Sequence, residues 1–187
     1  MKKLIALCAC VILLTGCSAL PKQPTQHAVD FRTALMGAEG CKFTADVTAE
    51  YEDRVYAFTL QTETIGGETT LQVLSPESIA GIQATITAEG AKLEFDSAIL
   101  DFGKMANGYV SPVSAPWLLE QCWRSAYIAY AGPDEDYERV TYLQGYQEAE
   151  LSVDTWFLDQ SPVYAEVVWN DIRCLQMEIK DFAFIQA

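Results

Sequence analysis

The chain has 187 residues, of which 26 are acidic and 12 basic, so its formal net charge is −14. A surface of this charge repels nucleic acid and anionic lipid head groups, which excludes both as partners held by charge. Half of the residues are hydrophobic and 11% are aromatic, which excludes a disordered polar chain.

The first residues have the pattern of a secretory signal peptide. Lys2 and Lys3 precede an apolar run from Leu4 to Leu14, which is too short to cross a bilayer because a transmembrane helix takes about 20 residues. The run ends in Leu14-Thr15-Gly16-Cys17, which resembles the lipobox of bacterial lipoproteins. We therefore predict a signal peptide over residues 1–16 and a mature chain that begins at Cys17, acylated with diacylglycerol on its thiol. An ordinary signal peptide with a chance Cys near its end is the alternative.

Cleavage there would leave 10 basic and 26 acidic residues, a net charge of −16. Membrane attachment must then come from the lipid on Cys17, since several acyl chains anchor a protein stably and a basic patch is missing. Residues 17–26 contain Pro21 and Pro24 among polar residues, which predicts a short extended tether.

A single domain is predicted over residues 27–187. It begins with an amphipathic helix, because Ala28, Phe31, Leu35 and Ala38 recur at helical spacing before Gly40.

Strands follow in the sequence as segments in which apolar and polar residues alternate, separated by turn residues. Phe43 to Tyr51 is the longest such segment, and Gly66-Gly67 and Asn107-Gly108 are hairpin signals. The predicted strands of this half surround Phe43–Tyr51, Tyr56–Leu60, Leu71–Val73, Ile82–Ala88, Leu93–Phe95 and Ile99–Phe102.

The meander is interrupted by a short helix. Pro112 and Pro116 precede Trp117, Leu118, Leu119, Cys122 and Trp123, an N-terminal proline followed by apolar residues on one helical face. Burial of this helix in the core of the sheet is one interpretation. The other is that these five residues form the lid of a ligand cavity.

Strands then resume to the end of the chain. They are predicted at Ile128–Tyr130, Glu138–Gln144, Ala149–Asp154, Trp156–Leu158, Val163–Trp169 and Cys174–Phe184. Phe182 and Phe184 are out of phase with Leu175, Met177 and Ile179, so a β-bulge near Lys180-Asp181 is expected. The fold class predicted is mainly β (α+β), a strongly curved antiparallel sheet, or half-barrel, wrapped around the N-terminal helix and the mid-chain helical insertion.

The sequence gives only weak support for a catalytic site or a metal site. The single histidine, His27, has no adjacent Ser or Cys, and a solvent-facing position at the helix start is expected for it. Asp134, Glu135, Asp136 and Glu138 lack EF-hand spacing and are expected in a solvated hairpin. We therefore expect no enzyme activity, no cofactor and no metal.

Cys41, Cys122 and Cys174 are widely spaced, without a CxxC or zinc pattern, and each lies in an apolar neighbourhood. Burial as small hydrophobic side chains is the expectation, and a Cys41–Cys174 disulfide remains open because both lie near predicted strand ends.

The order of elements over residues 26–185 resembles the LolA/LolB-like superfamily of envelope lipid-binding proteins. The features in common are the N-terminal helix, the long meander, the strand end at Leu74-Ser75-Pro76, the helical insertion, and the strand at Pro162-Val163-Tyr164. The resemblance implies a half-barrel whose concave apolar face takes acyl chains under a helical lid. Some members of the superfamily are themselves lipoproteins, including mycobacterial lipid carriers and a clostridial germination lipoprotein that supports a peptidoglycan amidase. The resemblance implies no catalytic residue.

The function expected is that of an extracytoplasmic lipoprotein, anchored to the cell membrane, or to an outer membrane if the host has one, through Cys17. Its non-catalytic domain would bind a lipid or another apolar ligand. The alternative is an interaction protein that holds or activates a cell-envelope, peptidoglycan-directed enzyme.

Overall fold

The computed structural model describes residues 24–51, 54–95, 98–102, 105–106, 109–144 and 151–186. The predicted signal peptide, Cys17 and the turn at Asn107-Gly108 lie outside these residues. The first helix, α1, spans Pro24–Gly37 and the second, α2, spans Ala115–Ser125. Short 3₁₀ turns cover Glu77–Ile79 and Pro112–Ser114.

Helix α1 begins at Pro24, inside the segment predicted as tether. Proline is favoured in the first turn of a helix because its ring presets φ and its missing N–H would have no helical partner there. Ala28, Phe31 and Leu35 are buried, so the apolar stripe faces the sheet as predicted.

The strands in chain order are β1 Gly40–Tyr51, β2 Arg54–Ile65, β3 Glu68–Ser75, β4 Gln83–Ile86, β5 Ala91–Phe95, β6 Ala98–Phe102, β7 Met105–Ala106, β8 Tyr109–Val110, β9 Tyr127–Asp134, β10 Tyr137–Gln144, β11 Leu151–Leu158, β12 Ser161–Trp169 and β13 Ile172–Ile185. Strand β11 is continuous where the sequence pattern had suggested two segments. Thr155, at the predicted break, is buried and continues the inward alternation of Val153 and Phe157.

Eleven strands form one open antiparallel sheet in the order β6-β5-β4-β3-β2-β1-β13-β12-β11-β10-β9, and β7 pairs with β8 separately. The chain runs outward from β1 to β6 and returns from β9 to β13, which pairs with β1 in the middle of the sheet. The predicted mainly β class is confirmed: the sheet is open and does not close into a barrel. Its inner face packs on α1 and α2; its outer face is turned away from them.

The expected bulge is present in β13. Lys42 pairs with Ala183 and Thr44 with Lys180, so the register shifts between the two pairs, and Asp181 has φ 54°. The extra residue brings Phe182 and Phe184 to the inner face, where both rings contact Phe31. The bulge therefore restores the inward phase of the strand.

Candidate functional site

Helix α2 is the only α-helix inserted between strands in the described part of the chain. Pro116 lies in its first turn, and the N–H of Ala126 donates to the carbonyl oxygen of Cys122 at its end. The helix was predicted, and its local cause is the proline start followed by residues of high helical amphipathicity.

All five residues predicted as a cavity lid are buried in the structure. Trp117 and Leu118 are 7% and 6% exposed, and the other three are at most 1% exposed. Two indole groups bind the sheet: Trp117 Nε1 donates to the carbonyl oxygen of Gly67 over 3.1 Å, and Trp123 Nε1 donates to Thr155 Oγ1 over 3.0 Å. These bonds hold one end of α2 against the turn between β2 and β3 and the other end against the inner face of β11.

Phe31 of α1 is the centre of an aromatic cluster between the helices and the sheet. Its ring centroid lies 5.6 Å from that of Trp123 and 4.9 Å from that of Phe157, at interplanar angles typical of edge-to-face contact. Phe182 and Phe184 complete the cluster at 5.7 and 5.8 Å. Side chains of the domain thus occupy the space between the helices and the inner face at this point.

Arg32, next to Phe31, binds the end of α2. Its Nε donates to the carbonyl oxygen of Trp123 over 2.7 Å, and its Nη2 donates to that of Ala126 over 2.6 Å. The last carbonyl oxygens of a helix have no helical donor and carry partial negative charge. A guanidinium at this position supplies both the hydrogen-bond donors and a compensating positive charge. This contact could not be predicted from the sequence, because the two partners are 91 residues apart.

A depression of about 410 Å³ lies beside this end of α2. Its lining includes Arg32, Gln121, Cys122, Tyr127 and Leu143. Cys122 is the one predicted lid residue that lines this depression.

Glu120 is a charged residue in the core whose burial was likewise not predicted from the sequence. It is fully buried, forms an ion pair with Arg124 one turn later, and accepts from Gln121 Nε2 over 3.0 Å. A buried carboxylate needs such partners because its desolvation is costly. The i, i+4 spacing of Glu120 and Arg124 was the available signal.

His27 does not face solvent freely, which corrects the expectation. Its Nδ1 lies 2.7 Å from Oε2 of Glu138 on β10, and its side chain is 35% exposed. The neighbour is a carboxylate on a strand 111 residues away. This side-chain contact connects the first turn of α1 to β10 of the sheet.

Cys41, Cys122 and Cys174 are free and buried, as the apolar neighbourhoods indicated. A Cys41–Cys174 disulfide is wrong: Cys41 pairs with Phe184, ten positions from Cys174 on β13, which is roughly 30 Å along a strand. Burial, and secondarily Glu120, raises the pKa of Cys41 to about 12, and burial raises that of Cys122 to about 12. Both thiols are therefore protonated and weak nucleophiles at neutral pH.

The acidic segment after Gly132 forms the hairpin between β9 and β10, where Glu135 has φ 55°. Asp134 Oδ2 accepts a hydrogen bond from Trp156 Nε1 over 2.8 Å. Among the described residues no three His, Cys, Asp or Glu side chains come together as a metal site. Nor does any helix in the described ranges combine the length and hydropathy that crossing a bilayer requires.

The fold defines the class of protein: an open, curved antiparallel sheet that holds two helices on one face, the half-barrel arrangement predicted from the sequence. No protein-family model matches the chain. No curated protein matches it either.

Solved structures do show similarity. A LolA superfamily protein from Nitrosomonas europaea is 10% identical with a TM-score of 0.43, covering 89% of this chain and 95% of that one. The lipoprotein LppX of Mycobacterium tuberculosis is 8% identical with a TM-score of 0.42, covering 85% and 92%. A chain in the complex of the CwlD amidase with the GerS lipoprotein, from Clostridioides difficile, is 10% identical with a TM-score of 0.43, covering 89% and 99%.

A LolA superfamily protein is thus among the solved structures similar to this chain, in line with the resemblance noted in the sequence. At these identities and TM-scores the likeness carries neither ligand nor partner to this chain.

Proposed function

We propose that the chain is an extracytoplasmic lipoprotein, anchored through Cys17, whose β domain is a non-catalytic binding protein that holds or activates a cell-envelope enzyme. The observation that supports a partner over a carried ligand is the packing of the inner face. Phe31 and the side chains of α2 occupy the space between the helices and the middle of the sheet, at β1, β11 and β13, which leaves the outer surface for recognition.

The anchor places this surface close to a membrane. Residues 18–23 separate Cys17 from the start of α1 at Pro24, and six residues span at most about 22 Å. The partner would therefore be an enzyme that works near the membrane surface. A net charge of −16 for the mature chain keeps the domain away from anionic head groups.

The absence of catalytic function is supported by the chemistry of the groups that nucleophilic catalysis would use. Among the described residues the single histidine, His27, is hydrogen-bonded to the carboxylate of Glu138 and not to a hydroxyl or thiol, and the thiols of Cys41 and Cys122 have raised pKa values. General-base activation of a nucleophile needs a histidine or equivalent base within hydrogen-bond reach of it.

Crosslinking in the native envelope tests the proposal. A photo-crosslinking residue placed at exposed positions of the outer face should join the chain to one dominant envelope protein, identified by mass spectrometry. A Cys17→Ser variant, expressed at the same level, should lose most of that product because the domain leaves the membrane. If several positions and crosslinkers return only scattered products, the interaction proposal is wrong.

Binding of an apolar ligand under α2 is the second candidate. It is favoured by the inner face of β5, where Leu93 is partly exposed and Phe95 is 48% exposed, so the apolar surface continues past the core. In this proposal Trp117, Leu118, Leu119, Cys122 and Trp123 form a lid that moves aside to admit a lipid. Native mass spectrometry of the chain purified from its own envelope should then show a retained lipid, and a spectrum of the protein mass alone would count against it.

A further inference from the structure

The outer face of the sheet carries two adjoining depressions for which the proposed function names no ligand. The first, here called the aromatic cleft, has a volume of about 430 Å³ and is lined by Tyr137, Trp156 and Tyr164 with Asp134, Glu178 and Lys180. Trp156 stands directly opposite Tyr164, and Tyr164 opposite Glu178, so these side chains form a row across β11, β12 and β13.

The aromatic rings of the cleft are held in place by their own contacts. The centroids of Trp156 and Tyr164 lie 5.2 Å apart at an interplanar angle of 60°. Trp156 Nε1 donates to Asp134 Oδ2, and the Tyr164 hydroxyl donates to Glu166 Oε1 over 3.1 Å. Because the polar atoms of both rings already have partners, what the rings offer to the cleft is apolar ring surface.

Four charged residues line the cleft, three of them acidic, and Asp134, Glu178 and Lys180 form ion pairs, whereas Glu135 does not belong to these pairs. Lys180 Nζ lies 2.5 Å from Asp46 Oδ2 and 3.7 Å from Glu178 Oε2. Arg139 Nε lies 3.9 Å from Asp134 Oδ2. The ion pairs offer hydrogen-bond donors and acceptors, and the net negative charge of the lining disfavours an anion, so the cleft suits a neutral polar ligand better than an anionic one.

The second depression, here called the amide groove, has a volume of about 600 Å³ and crosses β1 to β5. A row of directly opposed residues runs along it: Thr44, Gln61, Gln72, Gln83 and Glu94. Neighbouring strands are about 4.8 Å apart, so the three glutamines present amide groups at a regular repeat. Each amide supplies two donors and an acceptor.

The cleft and the groove meet at the bulge of β13. Lys180 lines the cleft, Asp181 lines the groove, and Thr44, opposite Lys180, lines the groove as well. The two therefore form one outer-face path from ring surface to a row of amides, long enough for an extended ligand.

The residues that line the cleft and the groove favour one class of extended ligand over others. A polyanion is repelled by the net charge of −14, and an acyl chain would leave the amide row unsatisfied. A neutral sugar chain fits both parts, since the C–H faces of its rings pack on aromatic rings and its hydroxyl and acetamido groups pair with amides. We propose that the outer face binds a neutral, amide-bearing oligosaccharide, with one sugar against Trp156, Tyr164 and Tyr137 and further sugars along Gln61, Gln72 and Gln83.

Calorimetric titration of the full-length chain in detergent with the linear β-1,4 tetramer of N-acetylglucosamine tests this. Saturable binding is expected. Tyr137→Ala should weaken it about fivefold, the loss of one aromatic contact, and Gln72→Ala should weaken it by about threefold to fivefold. Both residues are exposed, so folding should be retained, and a thermal melt of each variant checks it.

Tyr127→Ala is the matched control, because Tyr127 is an exposed tyrosine of β9 that lines the depression beside α2. It should bind the tetramer as the wild type does. No saturable heat at millimolar sugar, or equal binding by all four proteins, would overturn the proposal. A Tyr137→Ala variant that loses an envelope crosslink while the sugar fails to bind would assign this face to a protein instead. The photo-crosslinking experiment described for the proposed function detects a protein partner without any added sugar. The two proposals can therefore fail separately.

Discussion

The guanidinium of Arg32 in α1 donates to the carbonyl oxygen of Trp123 in α2 over 2.7 Å, which joins the two helices directly. The same group reaches the carbonyl oxygens of Ala126 and Cys122 at 2.6 and 3.4 Å. One side chain thus caps the helix that carries the proposed lid and connects it to the helix that follows the tether. The contact couples the two elements on the inner face of the sheet.

Arg32→Ala should destabilise the domain by about 2–3 kcal/mol, since a charged donor to three partly buried carbonyl oxygens at the end of α2 is lost. Urea unfolding followed by tryptophan fluorescence measures the change. The control is Arg173→Ala: Arg173 forms exposed ion pairs with Glu50 and Glu166, and it should cost at most about 1 kcal/mol. Equal losses of unfolding free energy in both variants would show that the hydrogen bonds from Arg32 to the end of α2 contribute no more than an exposed ion pair.

A close approach at the start of β1 leads to a second prediction. A Cβ on Gly40 would lie 1.8 Å from the carbonyl oxygen of Thr64 on β2, whereas one on Gly37 would meet nothing within 4 Å. Gly40→Ala should therefore destabilise by about 1–3 kcal/mol or more, because strand backbone must move. Gly37→Ala should be neutral. Thermal unfolding of the pair checks this, and a Gly40→Ala protein as stable as Gly37→Ala would contradict the packing of β1 on β2.

Local features of this fold could be predicted because each depends on residues that lie only a few positions apart in the sequence. The alternation in β1 marks one buried face, and the phase break after Ile179 located the bulge that turns Phe182 and Phe184 inward. The proline start and apolar face of α2 marked a helix. In each case the side-chain period of the element is visible in a short window.

Long-range contacts could not be predicted in the same way. Strand β1 pairs with β13, which places Thr44 opposite Lys180. The sequence of neither strand indicates which other strand it will pair with. His27 and Glu138 likewise meet only because α1 lies across β10. Trp156 was placed in a strand from its sequence, but its position in an outer-face cleft depends on the hairpin that brings Asp134 beside it. Such contacts follow from topology, which a single sequence does not specify.

The Asp46–Lys180 pair should contribute to stability in a pH-dependent way. A hydrogen bond from Lys180, followed by one from Thr59, holds the pKa of Asp46 below its ordinary value of 3.8. The folded state therefore binds this proton less readily than the unfolded chain, so the contribution is complete above pH 3.8 and is lost as pH falls through the lower, folded pKa.

Asp46→Asn should accordingly flatten the loss of stability on acidification, measured as urea midpoints at about pH 6 and about pH 2.5. Lys180→Met should flatten it similarly, and the double variant should add little, because both changes remove one interaction. The effect should be modest, since both side chains are well exposed. An Asp46→Asn protein with the full acid slope of the wild type would assign that slope to other carboxylates.

Anchoring through Cys17 is the prediction on which the proposed location depends. Cys17→Ser removes the thiol that would carry diacylglycerol, and the described domain keeps no basic surface to replace it, given its acidic composition. The variant should leave the membrane pellet and appear in the soluble fraction, folded as judged by its thermal melt. Cys10→Ser, a change within the predicted signal peptide, is the control and should still give a membrane-bound mature protein. A Cys17→Ser protein that stays in the pellet after a high-salt and carbonate wash would mean that attachment comes from another part of the chain.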